Sequence, residues 1–138
     1  MDNLVEKLEK QYIPYLETLK AKFEDKYPNS KFHILSYPVG ENTSFQGHTI
    51  CLECVLPDTP PDQSDSLAIM IQLTYLTTRT RLMADVSWVT GIVEAQLKDW
   101  TTSNDWLEVT NDTLNQLDEI MPKLCQDFEE AIQRGHPL

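Results

Sequence analysis

The sequence predicts an α+β fold, a mainly antiparallel meander sheet of four or five strands with N- and C-terminal helices packed against it. Three observations carry this expectation. Residues Lys31 to Leu97 alternate apolar and polar side chains; segments with helical periodicity bracket that block; and clusters of Gly, Pro, Asn and Asp break it into strand-sized pieces.

The first helix is read from Leu4, Leu8, Tyr12, Tyr15, Leu19 and Phe23, which recur at steps of three or four and form one apolar stripe. Asn3 with Glu6 makes a capping-box pattern at its start, and Pro28-Asn29-Ser30 ends it. Pro14 lies inside, where it removes a backbone donor, so a kink or a break is expected between Lys10 and Pro14.

Strands follow in succession. Lys31 to Val39 places Phe32 and Ile34 on one face and Leu35, Tyr37 and Val39 on the other, before Gly40-Glu41-Asn42 turns the chain. Ser44 to Leu56 sends Ile50, Leu52, Cys54 and Leu56 one way and Thr49, Cys51 and Glu53 the other. The run Pro57 to Asp62 holds three prolines and reads as an exposed loop. Leu67 to Leu76 is apolar on both faces, with Ala68, Met70 and Leu76 opposing the larger set, as suits the middle of a sheet covered on two sides. Arg79 to Trp88 turns Leu82, Ala84, Val86 and Trp88 inward, and Ile92 to Leu97 reads as a fifth strand.

The closing helix is capped by Thr110 or Asn111 and carries Leu114, Leu117, Met121, Leu124, Phe128 and Ile132 as its stripe, with Ile120 widening it. Pro122 sits inside, and Gly135 and Pro137 stop it. With no repeat or linker to divide them, residues 1–138 read as a single α+β domain, long enough to bury a core without disulfides.

Charge is unevenly placed. Six acids and six lysines balance up to Lys31, so the whole formal net charge of −11 lies beyond it. An acidic surface repels phosphate backbones and anionic lipid, which argues against nucleic acid and membrane partners and favours a basic protein partner. No secretory signal or membrane-length apolar run is present, so the expected compartment is the cytoplasm, with the three cysteines reduced.

No pattern for catalysis emerges, and no enzymatic role or cofactor is expected. Cys51-Leu52-Glu53-Cys54 matches a C-x-x-C spacing, but residues three apart in a strand point to opposite faces, so both thiols read as packing residues and no metal site is assigned. Asp58, Asp62 and Asp65 lack the spacing of a calcium loop. Cys125 falls beside an apolar stripe, and the four glycines are scattered singly rather than gathered into a phosphate cradle.

The resulting functional expectation is a non-catalytic, acidic protein-binding module of adaptor, chaperone-like or immunity-like kind. Its partner surface is expected on the last helix, at Glu129 and Glu130, and on the stretch holding Trp100, Asp105 and Trp106, where large aromatics read as anchors on a loop. The alternative is a small-molecule or metal-binding domain with a pocket between sheet and helices near His33, His48 and Cys54. Because one strand is apolar on both sides, a homodimer is expected to cover the second sheet face at Met70 and Leu76.

Overall fold

The computed structural model describes residues 2–40, 46–56, 66–75, 80–88, 98–101 and 111–134. Its elements are α1 (Asp2–Lys26), β1 (Lys31–Val39), β2 (Gln46–Val55), β3 (Ser66–Tyr75), β4 (Thr80–Trp88), β5 (Lys98–Thr101) and α2 (Asn111–Arg134). The strands form one antiparallel sheet in the order β1-β2-β3-β4-β5, the meander expected of an α+β chain with short connections.

The stripe of α1 runs through Leu8, Tyr12, Leu16, Leu19 and Phe23, all buried, at steps of four, four, three and four. Leu16 therefore takes the place expected for Tyr15, which lies on the flank and is 39% exposed. The step of three that follows two steps of four returns the stripe to one face of a 3.6-residue helix. The helix already includes Asp2, so Asn3 is not its cap, and it closes with the Tyr27 N–H donating to the Phe23 carbonyl at 2.7 Å.

Neither internal proline ends its helix. Pro14 and Pro122 occupy exposed positions, as do Lys10 and Asp118, whose carbonyls lose their donors, so water can solvate what each proline leaves unpaired. Thr18 adds a local tie by donating from Oγ1 to the Pro14 carbonyl at 3.1 Å. Burial of two long apolar stripes offsets the penalty of about 3 kcal/mol that each interior proline carries.

Residues paired across antiparallel strands share a face. The rows Phe32–Cys54–Leu67, Ile34–Leu52–Ile69–Val86 and Ser36–Ile50–Ile71–Ala84 therefore lie on one side. Both helices pack there, α1 over β1 and β2 and α2 over β3, β4 and β5, and side chains of the helices and the sheet join in one core. Phe23 is its aromatic centre, with ring centroids 6.0 Å from Phe32 and 5.7 Å from Phe128. α2 supplies Leu114, Leu117, Met121, Leu124, Phe128 and Ile132 as read from its periodicity, together with Ala131.

The fifth strand is Lys98–Thr101, one segment later than the Ile92 to Leu97 expected; residues 92–97 lie outside the described residues. It aligns Asp99 with Asp85 and Trp100 with Ala84. Polar residues at its ends gave no apolar alternation to read.

Gly40 closes β1 with φ 72°, a left-handed conformation open to glycine. Gly47 has a different reason. A methyl group there would collide with the Leu73 carbonyl oxygen of the adjacent strand. That oxygen is backbone and cannot swing aside, so Gly47→Ala is expected to lower stability by at least about 1 kcal/mol in chemical denaturation, as for other overpacked sites. An unchanged midpoint would show that β2 and β3 separate freely at this point.

Candidate interaction surfaces

Polar groups that could do chemistry are consumed mostly in fastening the helices. At the β1 side of α1, Ser36 Oγ donates to Glu9 Oε2 at 2.7 Å and lies 2.7 Å from His48 Nε2. Ser36 has one proton, and Glu9 receives it, so the contact to His48 requires the imidazole to donate from Nε2. A nucleophilic serine needs the reverse, an unprotonated imidazole nitrogen that accepts the hydroxyl proton while a carboxylate orients the other ring nitrogen. Here the serine stands between acid and base. The arrangement pins α1 to β1 and β2, and His48 Nε2 is 4.0 Å from the same Glu9 oxygen.

A second set of contacts joins the two helices. Tyr12 donates to Asp118 Oδ1 at 2.7 Å, and Gln11 Nε2 donates to the same oxygen at 3.0 Å. Burial, reinforced by the Asp118 carboxylate, pushes the Tyr12 hydroxyl far above its ordinary pKa, so it remains a donor. At the other end Glu129 Oε2 accepts from Lys26 Nζ at 2.5 Å and from the Tyr27 hydroxyl at 2.8 Å. The hydrogen bond from Lys26 is the main reason the Glu129 carboxyl is held below the usual carboxylate range. Tyr15 and Cys125 meet across the same seam at 3.3 Å.

These ties separate two adjacent acids that the sequence reading grouped. Glu129 is half-buried and engaged with α1, whereas Glu130 is exposed. Asp127 pairs with Lys123 at 3.1 Å and Asp118 with the tyrosine and glutamine above. Glu119 and Glu130 make no ion pair among the described residues and are both exposed. Eleven residues separate them, close to three full turns, so they share one stripe of α2 roughly 16 Å apart.

The opposite side of the sheet has another character. Leu35, Tyr37 and Val39 stand in alternate positions of β1 with 40%, 40% and 44% of their surface exposed. Neither helix lies on that face. Moving inward along one row, Leu35 is followed by Cys51, Met70, Asp85 and Asp99. Cys51, Ala68 and Asp85 are buried there, and Met70, expected at a dimer interface, is half-buried with the Ser87 hydroxyl 3.6 Å from its sulfur. Leu76 lies outside the described residues.

The residues of the expected pocket are not brought together. His33 is exposed and paired with Glu53 on the face away from the helices, while His48 and Cys54 lie on the helix side. Six positions of one strand, roughly 20 Å, separate His48 from Cys54. Among the described residues no three His, Cys, Asp or Glu side chains gather in a way that could hold a metal ion. A cleft of about 330 Å³ lies elsewhere, lined by Lys26, Tyr27, Asn29, Leu56 and Ile132 among others. Trp100 belongs to β5 rather than to a loop, and Asp105 and Trp106 lie outside the described residues.

Cys51 and Cys54 point to opposite faces, as the strand alternation requires, and both are buried. Desolvation raises each thiol to about 11, with Glu53 opposing ionisation as well. No family model matches the chain, and no curated protein or solved structure shows significant similarity to it. Among the described residues, no helix is long and apolar enough to cross a membrane.

Two outcomes are expected. Alkylation by iodoacetamide at neutral pH should leave Cys51 and Cys54 unmodified in the folded protein and label them on denaturation; rapid native labelling of either would mean that its strand opens. Glu129→Gln should lower the melting temperature at pH 7. Because the folded-state pKa of Glu129 is depressed, its contribution is present above the ordinary carboxylate value and disappears as pH falls. The gap between variant and wild type should therefore close below about pH 4. A gap that is constant from pH 7 to 3 would assign the loss to packing.

Proposed function

We propose that this protein is a non-catalytic binding module that recognises a basic protein partner through the outward stripe of α2. The observation that carries this reading is the distribution of acids on that helix. Asp127 and Glu129 are paired with lysines within the chain, Asp118 accepts hydrogen bonds from the uncharged Tyr12 and Gln11, and Glu119 and Glu130 are left exposed on one side without a partner among the described residues. Solvent-exposed charges of this kind do little for stability but attract an oppositely charged surface and set the rate at which it arrives.

The charge of the whole chain supports the same sign of partner. A net charge of −11 in 138 residues produces a field that steers basic surfaces and opposes nucleic acid. Ser36 and His48 have the wrong donor order for nucleophilic catalysis, and the cysteines are held as buried thiols, so the side chains nearest to catalytic chemistry support a structural role. Asp105 and Trp106 are candidate contacts from the sequence and lie outside the described residues.

Capture from the native host on the immobilised full chain, with proteins identified by mass spectrometry, tests this. A basic protein should be retained at low salt and released as ionic strength rises toward about 0.5 M, where the screening length falls to a few ångströms. The double charge reversal Glu119→Lys with Glu130→Lys should weaken retention of that protein by about tenfold or more, with unchanged thermal stability. Equal retention by the reversed chain would reject the α2 stripe as the docking surface.

A further inference from the structure

The apolar strip on the outer strand has chemistry unlike that of α2. Leu35, Tyr37 and Val39 are exposed side by side on β1, and among the described residues β1 is an edge of the sheet, paired only with β2. At nine residues it offers a far longer free edge than β5, which has four. Natural sheets protect such an edge with charge, proline or a covering element, because its unpaired backbone groups are a template for another strand. Among the described residues the protection is slight. Pro38 removes one donor near the end, and Lys31 stands at the start; between them Phe32 to Tyr37 carry no acid and no lysine or arginine.

The placement of charge says what can dock there. From Lys26 to Gly40 the chain has no acidic residue, although sixteen acids follow Phe32 overall. α2, with its exposed Glu119 and Glu130, lies over β3, β4 and β5, toward the far side of the sheet. If two copies meet at β1, about seven strand spacings of ~4.8 Å separate their β4 strands, or roughly 34 Å. That is several times the ~8 Å screening length at physiological salt, so two chains of like charge can join at this edge at little electrostatic cost. Contact through α2 would instead bring the exposed acids of both copies together.

We infer that β1 is the edge on which a second copy of this chain adds, antiparallel and across a two-fold axis, to make one continuous ten-stranded sheet. An isologous contact of this kind sets the Leu35, Tyr37 and Val39 strips of the two copies next to one another on the face away from the helices. Backbone pairing supplies the alignment, and the apolar strip supplies the gain from leaving water. This surface is separate from the α2 stripe, and Met70, on the same face, lies two strands inward from the contact.

The full chain in sedimentation velocity and light scattering between about 1 and 100 µM provides the test, a span that covers dissociation constants of ordinary homodimers. The expected particle at the upper concentration has twice the 15.9 kDa chain mass. Leu35→Lys with Tyr37→Lys, both at exposed positions, should raise the dissociation constant at least about hundredfold with the melting temperature nearly unchanged. Added salt should leave the dimer intact or strengthen it, opposite to its effect on a basic partner. Hydrogen exchange of the 31–39 amides should slow as the wild-type concentration rises. A particle of single-chain mass at 100 µM would overturn the inference. So would a dimer that survives the lysine pair, or β1 amides whose exchange ignores concentration, since each locates the contact elsewhere. Retention of a basic protein by the lysine pair, with the dimer lost, separates this result from the fate of the α2 reading.

Discussion

Both helices lie on the same side of one pleated sheet, and that single placement decides which strand residues enter the core between sheet and helices. In a strand, neighbours in sequence face opposite ways. Once α1 and α2 occupy one side, Ile50, Leu52 and Cys54 enter the core, whereas Cys51 and Glu53 face away from the helices, although all five are consecutive in β2. The same rule divides His33 from His48 and Cys51 from Cys54 and so removes the constellations that spacing alone might suggest. A one-residue slip of register would reverse all of these assignments at once.

Fastening is shared between apolar burial and a small number of polar ties. The aromatic group Phe23, Phe32 and Phe128 brings together α1, β1 and α2, while Tyr12 and Glu129 mark two polar contacts along the helix seam. Both ties use an acid, but only Glu129 meets a cation there. A carboxylate paired with a lysine, as Glu129 is with Lys26 and Asp127 with Lys123, is quiet electrostatically toward the outside, so the outward field of α2 comes from fewer residues than its composition suggests. Glu129 and Glu130 illustrate this. One is part of the helix–helix joint and the other belongs to the surface.

The molecule consequently presents two surfaces of different chemistry. Among the described residues, the helical side ends in a polar stripe with carboxylates that make no ion pair, and the far side of the sheet ends in an apolar strip on its longer edge strand. Their separation follows from the strand order, with β1 at one edge and α2 over β3 to β5. Charge and apolar area that were mixed along the chain become sorted in space.

Much of this architecture was legible in the amino-acid order. Period-two alternation marked β1 to β4, and the α2 stripe appeared as it folds, because periodicity is a local property that burial reinforces. Local signals were weaker at Tyr15 and Leu16, two adjacent apolar residues between which only packing against the sheet chooses, and at Lys98–Thr101, a polar segment made into a strand by its neighbour β4. The candidate surfaces were less legible still. That Glu129 is matched, and Glu130 makes no ion pair among the described residues, depends on Lys26 and Tyr27, about a hundred residues away in sequence. The ordering of Glu9, Ser36 and His48 likewise exists only where α1 crosses β1 and β2. Sequence determined which residues alternate and how much charge the chain carries; tertiary structure decided which acids are neutralised and which apolar strip is left uncovered, because both depend on contacts between segments distant along the chain.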